Sequence, residues 1–164
     1  MLADIASAQP VSIAVEPADQ LDVRSMIAEL EAYLFTLTPR EQCHHMSADQ
    51  LAAEATVFVA RSGGAAIGLG ALRLHPDAVG EVKRMYVRPD RQGRGTGSLI
   101  LGAILDEARA KGVRRLVLET GDRHHAAWRV YEKFGFARCG PVLGYPDWPT
   151  SVFYARDLAE ETAA

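Results

Sequence analysis

The strongest constraint on the fold is a glycine-rich turn between a strand-like and a helix-like segment. The turn reads QGRGTG, from Gln92 to Gly97, and it follows the alternating segment GEVKRMYVRP, residues 80–89. After the turn, apolar residues recur at helical spacing: Leu99, Ile100, Ala103, Ile104 and Ala108. Glycine lets backbone N–H groups converge at the start of a helix, where they bind anions. The turn therefore predicts a phosphate-binding site.

The residues before the turn predict a mixture of helices and a β-meander. The segment VSIAVEP, 11–17, alternates like a strand, and 19–37 has apolar residues at the spacing of one broken helix or two. Ser47 and Gln50 match a capping box that opens a short helix through about residue 54. Two strands, TVFVAR and AAIGLGALRLH, flank a hairpin turn at 62–64.

The residues after the turn predict further strands and one more helix. RRLVLET reads as a strand, and Ala127, Val130, Tyr131 and Phe134 form the apolar stripe of a helix that Gly135 ends. One or two last strands fall in FARCGPVL and SVFYARDL. The fold class predicted from this order is α+β, with residues 1–164 as a single domain.

Composition and charge exclude several classes of function. A net charge of -3 gives no electrostatic argument for nucleic acid as a partner. The sequence contains neither a signal-peptide pattern nor an apolar run long enough for a bilayer. Cys43 and Cys139 match no metal-ligand spacing and are typical of a reducing compartment. We therefore expect a cytoplasmic protein without a metal, a membrane or a nucleic-acid partner.

The glycine turn does not match the common nucleotide-binding motifs. A G-x-G-x-x-G fingerprint would need glycine where Ser98 or Ile100 stands, although Glu119 lies at about the distance of a ribose-binding acid. A P-loop lacks its Gly-Lys-Ser/Thr end. The β-meander before the turn also disfavours a Rossmann-type nucleotide-binding protein, which needs βαβ order.

The turn and its neighbours instead resemble the GNAT N-acetyltransferase superfamily. QGRGTG matches the family's pyrophosphate-binding turn, Q/R-x-x-G-x-G/A, and MYVRP precedes it where the family has an aromatic-Val-x-Pro phrase. LVLET and AAWRVYEKFGF follow at matching distance, so the resemblance extends from about residue 11 to 158. It is similar to small, single-domain bacterial members. The resemblance implies a mixed, mostly antiparallel sheet of six to seven strands, flanked by helices, with a splayed central strand pair.

The same resemblance implies acetyl-CoA as cosubstrate and a set of residues that bind it. Backbone amides of the turn would hold the pyrophosphate, and Arg91, Arg94 or both would reach the 3′-phosphate or the adenine face. The strand before the turn would pair with pantetheine, and one of its N–H groups would stabilise the oxyanion. The implied cofactor-binding residues are Met85, Tyr86, Val87, Gln92, Gly93, Arg94, Gly95, Thr96, Gly97, Ser98, His124 and Tyr131.

Two residues are the catalytic candidates. Tyr131 matches the family tyrosine that protonates the departing thiolate; by its pattern alone it would be a core residue. His124 stands where the family often has asparagine. Glu81 is the first candidate for the base, and strand alternation predicts Glu81, Lys83 and Met85 on one face. The second candidate is Glu119, and a purely structural ion pair is the alternative for both carboxylates.

The acceptor pocket is predicted from the first helices and the segment before the last strand. Its candidate residues are Tyr33, His45, Glu119, Tyr145 and Ser151, together with Phe35, His44 and Trp148. Arg40 and His45 are candidates for receiving an acidic group. Neighbouring side chains in Cys43-His44-His45 diverge, which disfavours a metal site.

The resemblance implies an N-acetyltransferase that moves an acetyl group from acetyl-CoA to a primary amine by direct attack in a ternary complex. The acceptor would be a small molecule or a peptide amine. The alternative is a non-catalytic acyl-CoA-binding sensor or regulatory module. Sheet edges in so small a protein are also compatible with a homodimer.

Overall fold

The computed structural model describes residues 9–159, so both ends of the predicted domain 1–164 lie outside the described residues. The described part contains seven strands and four helices. In chain order they are β1 (Val11–Val15), α1 (Leu21–Leu37), α2 (Ala48–Glu54), β2 (Ala55–Ser62), β3 (Ala65–His75), β4 (Val79–Val87), α3 (Thr96–Ala110), β5 (Arg115–Gly121), α4 (His125–Lys133), β6 (Ala137–Cys139) and β7 (Ser151–Asp157).

All seven strands form one sheet in the order β1-β2-β3-β4-β5-β7-β6. Every neighbouring pair is antiparallel except β4 and β5, which are parallel. The helix α3 connects these two parallel strands, as a crossover between parallel neighbours requires. The predicted mixed, mostly antiparallel sheet of six to seven strands is confirmed.

Helices cover both faces of the sheet, and each face has its own apolar core. On one face, α3 contributes Ile100, Leu101, Ile104, Leu105 and Ala108 to a cluster with β-strand residues and with Tyr131 of α4. On the other face, α1 and α2 bury Val23, Met26, Ile27 and Leu51 against β2 and β3. Both stripes have helical spacing, so burial of apolar side chains stabilises these layers. The predicted stripe of α3 was shifted by about one residue, since Leu99 is 49% exposed and Leu101 and Leu105 are buried.

The two parallel strands separate after a short paired section. β4 and β5 are paired at Val79 with Arg115, Gly80 with Leu116 and Glu81 with Val117. Beyond these pairs β4 continues to Val87 and β5 to Gly121 without a ladder between them. A cleft therefore opens in the middle of the sheet, and the predicted splayed central pair is confirmed.

Two further local predictions from the sequence were wrong. The segment 19–37 is neither broken nor split, because α1 is one continuous helix of 17 residues that ends before Pro39. Residues 21–37 contain no proline or glycine that would interrupt the helical hydrogen bonds. The capping box at Ser47 is present as predicted, with both reciprocal hydrogen bonds to Gln50 formed.

The second difference is a β-bulge in β4. The register with β3 shifts between the pairs Leu69–Tyr86 and Ala71–Lys83, and Arg84 has a φ of 57°. The extra residue interrupts strand alternation, so the neighbours Lys83 and Arg84 both line the same cavity, and Arg84 donates to Glu31 of α1. Met85 packs against the α3 core instead. The prediction that Met85 shares a face with Glu81 and Lys83 is therefore wrong.

Candidate active site

A cavity of about 120 Å³ lies where β4 and β5 separate. Its walls come from α1, β4, β5, α4, the connection between α1 and α2, and the segment before β7. The titratable side chains that line it are Cys43, His44, His45, Glu81, Lys83, Arg84, Glu119, His124 and Tyr131. The cavity thus brings together both predicted catalytic residues, Glu81 and Tyr131, from positions 50 residues apart in the sequence.

Glu81 is almost completely buried and has hydrogen bonds on both carboxylate oxygens. Its side chain is 2% exposed, and Oε1 lies 3.0 Å from Nε2 of His75. Oε2 accepts a 2.5 Å bond from the Tyr145 hydroxyl and a longer, 3.3 Å bond from Nζ of Lys83. Lys83 also donates to the Tyr145 oxygen at 2.9 Å. The carboxylate is therefore held by three partners, two of which, His75 and Tyr145, were not predicted to contact it.

Glu119 lines the same cavity but has fewer partners than Glu81. No Lys, Arg or His in the described part of the chain forms a salt bridge with it. Burial raises the pKa of the Glu119 carboxyl, while the nearby Ser151 hydroxyl and Lys83 oppose that shift. The Ser151 hydroxyl is close enough to favour the ionised form, but it makes no hydrogen bond of ordinary geometry within residues 9–159. Glu119 thus combines a raised proton affinity with a carboxylate that is open to a ligand.

Tyr131 lies on the buried side of α4 and contributes its ring to the core. The ring lies about 6 Å from those of Phe136 and Tyr154, at centroid distances of 6.0 and 5.9 Å. Burial, together with the charge of Glu119, raises the pKa of the Tyr131 hydroxyl well above its ordinary value. The hydroxyl remains protonated at neutral pH, which a proton donor requires.

Two histidines of the cavity carry a buried ring nitrogen without a partner. Nε2 of His124 and Nε2 of His44 have no hydrogen-bond partner within residues 9–159. Burial lowers the pKa of both imidazoles, and the charge of Lys83 adds to this effect at His44. Buried polar atoms without a partner are uncommon, so both nitrogens are candidate contacts for a bound molecule.

The glycine turn has the conformation of an anion site at the open end of β4. Gly93 and Gly95 have φ values of 73° and 84°, which residues with a Cβ rarely adopt. The first helical hydrogen bond of α3 is donated by Leu99 to the Gly95 carbonyl. The amides from Gly93 to Ser98 donate no hydrogen bond within the described residues. They are available to a ligand at the positive end of α3.

Side chains around the turn divide between support and charge. The Gln92 side chain donates to the Val87 carbonyl at 2.9 Å, so it braces the turn against the end of β4. Arg91 pairs with its neighbour Asp90 at 3.4 Å. Lys133, which the sequence interpretation did not include, reaches the Ser98 hydroxyl at 3.4 Å. Its signal was the YEK phrase at the end of the α4 pattern.

The connection between α1 and α2, residues 38–47, forms a roof over the cavity. Arg84 holds it by donating two hydrogen bonds to the Met46 carbonyl, at 2.9 and 2.8 Å. Thr150 donates to the Gln42 side chain at 2.7 Å and connects the roof to the segment before β7. His44 packs on Tyr145, with ring centroids 4.6 Å apart. No local sequence pattern signals these long-range contacts.

The predicted acceptor residues are distributed over three places. His45 and Glu119 line the cavity. Tyr145 and Ser151 lie behind its wall, beside Glu81 and Glu119 respectively. Tyr33 is 52% exposed, and its ring lies 6.0 Å from that of His124 at the rim. Of the further candidates, Arg40 stacks on Phe35 at 4.1 Å, and Trp148 packs near His44.

Within residues 9–159, no group of three or more His, Cys, Asp or Glu side chains is arranged to hold a metal ion. None of the helices in this part of the chain has the length and apolar character needed to cross a bilayer.

Comparison with known proteins identifies a family that has this arrangement. A model described as the acetyltransferase (GNAT) family matches residues 23–136. IAA acetyltransferase of Azospirillum brasilense is 40% identical over 150 residues, covering 90% of this chain and 98% of that protein. The uncharacterized N-acetyltransferase YsnE of Bacillus subtilis is 32% identical over 146 residues, covering 85% and 97%.

A solved structure agrees with these sequence matches. The protein from Klebsiella pneumoniae that is designated an acyl-CoA N-acyltransferase superposes with a TM-score of 0.78 and is 29% identical in sequence. The superposition covers 91% of this chain and 98% of that protein. The similarity in fold therefore extends over nearly the whole of both chains.

Proposed function

Because the chain belongs to the acetyltransferase (GNAT) family and is an acyltransferase with acetyl-CoA as its donor, we propose that it acetylates a primary amine by direct attack in a ternary complex. The observation that carries this proposal is the cleft between β4 and β5. The unpaired amides of the glycine turn lie at the end of β4, and Tyr131 and Glu119 line the cavity in the cleft.

The residues of the cleft fit acetyl-CoA. The free amides of Gly93 to Ser98 suit a pyrophosphate, and Lys133 beside Ser98 adds a positive charge. The backbone of Met85 to Val87 has no partner on the β5 side, so it is available to pair with pantetheine. His124 offers its unpartnered Nε2 to the pantetheine as well. One free N–H of β4 would stabilise the oxyanion of the tetrahedral intermediate.

Two carboxylates compete for the role of base. Both oxygens of Glu81 are already in hydrogen bonds with His75, Lys83 and Tyr145, which leaves little room for an ammonium. Glu119 has no such partners and a pKa raised by burial. We therefore assign proton removal from the acceptor amine to Glu119, directly or through water. In this assignment Glu81 holds Lys83 and Tyr145 in position.

The reaction as proposed releases one proton overall. Glu119 takes a proton from the acceptor ammonium, and the freed amine forms a C–N bond to the thioester carbonyl carbon. As the intermediate collapses, the C–S bond breaks and the Tyr131 hydroxyl gives its proton to the departing thiolate, which would otherwise be a poorer leaving group. The nitrogen loses its second proton, which returns to the Tyr131 oxygen through water. Glu119 releases its proton to solvent as the products leave.

The test is thiol release from acetyl-CoA, measured with a panel of primary amines for the wild type and for Tyr131→Phe. We expect amine-dependent release that falls by about 10²-fold or more in Tyr131→Phe, because general acid catalysis contributes on that scale. The Michaelis constant for acetyl-CoA should change little. Binding of acetyl-CoA without amine-dependent release would contradict the proposal and favour the sensor alternative.

A further inference from the structure

The roofed side of the cavity contains a cation whose charge is only partly neutralised. The Lys83 side chain is 9% exposed, and its ammonium has three N–H donors. Two of them point to the Tyr145 oxygen at 2.9 Å and to Glu81 at 3.3 Å. One donor is left for a ligand in the cavity that Lys83 lines.

Glu81 does not cancel that positive charge fully. Its two oxygens also bind His75 and Tyr145. The hydrogen bond from Tyr145, at 2.5 Å, is shorter than the one from Lys83, at 3.3 Å. The carboxylate is thus shared among three partners. Lys83 is buried, so the remaining attraction for an anion is weakly screened by solvent.

His44 supplies a second polar group beside Lys83. Its ring packs 4.6 Å from that of Tyr145, the residue that accepts from Lys83. Its Nε2 is buried and has no hydrogen-bond partner within residues 9–159. A neutral imidazole with its proton on Nε2 is a donor. In this tautomer, Lys83 and His44 present two N–H donors that an anionic oxygen would satisfy.

Glu119 gives the same cavity a group of opposite character. It lines the wall beside Tyr131, where the amine must lie for the proposed reaction. We propose that the acceptor is a small amino-carboxylate, such as an amino acid, whose amine lies at Glu119 and whose carboxylate is bound by Lys83 and His44. This inference rests on the proposed function.

Two other classes of amine fit the cavity less well. A diamine would bring a second ammonium towards Lys83, where like charges repel. A protein or peptide lysine would have no carboxylate for Lys83, and its backbone would meet the roof that Arg84 and Thr150 hold over the cavity. The amino-carboxylate class is the one that gives a partner both to Glu119 and to the donors of Lys83 and His44.

The experiment compares amino acids with their decarboxylated amines: histidine with histamine, tyrosine with tyramine, tryptophan with tryptamine, ornithine with putrescine. We expect at least one pair in which the amino acid has the higher kcat/KM by about tenfold or more, the scale of a charged hydrogen bond. If amines react but no amino acid has a higher kcat/KM than its decarboxylated amine, the inference is overturned and the proposed function stands. If no amine reacts, both fail.

Variants test whether Lys83 causes the preference for an amino acid over its decarboxylated amine. Lys83→Gln keeps a hydrogen-bond donor near Glu81 and Tyr145 but removes the charge, so the ratio for the pair should fall towards one. Lys111→Gln removes an exposed charge elsewhere and should keep the ratio. Should Lys83→Gln not fold, His44→Phe retains the packing on Tyr145 and removes the Nε2 donor; the ratio should fall there too. An unchanged ratio in a folded variant would overturn the assignment.

Discussion

Tyr145 and Glu81, 64 residues apart in the chain, are joined by a 2.5 Å hydrogen bond in which the Tyr145 hydroxyl donates to Oε2. The bond fastens the segment between β6 and β7 to β4, at the point where β4 leaves β5. Burial and the bond to Glu81 raise the pKa of Tyr145, so the hydroxyl keeps its proton and remains a donor. The floor of the cavity thus depends on a contact between distant segments.

Tyr145→Phe should destabilise the fold. A buried carboxylate loses its shortest hydrogen bond, so we expect the free energy of unfolding to fall by about 1–3 kcal/mol in urea titrations. Tyr154→Phe is the matched control, because the Tyr154 hydroxyl lies outside the cavity and donates a 2.8 Å hydrogen bond to Glu132. The control variant should leave kcat unchanged. Equal stability of Tyr145→Phe and the wild type would contradict the role given to this bond.

Glu119→Gln should change the pH dependence of the free energy of unfolding. Burial raises the folded-state pKa of Glu119 above its ordinary value of 4.5. A group of this kind stabilises the fold below the unfolded pKa and loses that contribution as pH rises through the folded pKa. The variant should therefore be more stable than the wild type near pH 8, with the difference disappearing below about pH 4.5.

The activity of Glu119→Gln should move the other way. The proposed base acts in its ionised form, so wild-type kcat/KM should decline as pH is lowered through the folded pKa. The variant should lose most turnover at every pH and keep its affinity for acetyl-CoA. Chemical denaturation and thiol release over the same pH series check both statements. Full activity in the variant would return the base role to Glu81.

Arg84→Met should loosen the roof of the cavity. The guanidinium, with a side chain 4% exposed, bonds to Glu31 and twice to the Met46 carbonyl. We expect a loss of about 1–3 kcal/mol in stability. The KM for the amine should rise more than that for acetyl-CoA. Glu31→Gln is the control with a smaller loss, since Glu31 is 34% exposed and the Met46 bonds remain.

Periodicity predicted most of the framework because local burial decides it. The stripe around Ile104 places α3, the box at Ser47 places α2, and the turn at Gly63 and Gly64 places the β2–β3 hairpin. The order of these segments then leaves few arrangements for the sheet. The same reasoning failed for Met85, because a bulge at Arg84 depends on what that side chain binds across the protein.

The site was predictable only where the chemistry lies in the backbone or in a local phrase. The glycine turn and Tyr131 belong to such phrases, and both lie at the cleft. Lys133 was missed because its contact with Ser98 joins two helices that no period relates. His75 was missed because its contact with Glu81 depends on the exact register of β3 and β4, which places the two residues as diagonal neighbours. The difference between Glu81 and Glu119 was also hidden, since it comes from partners and burial in three dimensions.

The central claim, acetyl-CoA at the glycine turn, is tested most directly by calorimetric titration of Gly97→Glu and Gly97→Gln. A Cβ at Gly97 would meet only Val87 Cγ2, at 4.0 Å, and an acidic residue in the first turn of a helix stabilises it, so both variants should fold. Charge repulsion predicts that Gly97→Glu weakens acetyl-CoA binding by about tenfold or more relative to Gly97→Gln. Equal affinities in the two folded variants would contradict the account.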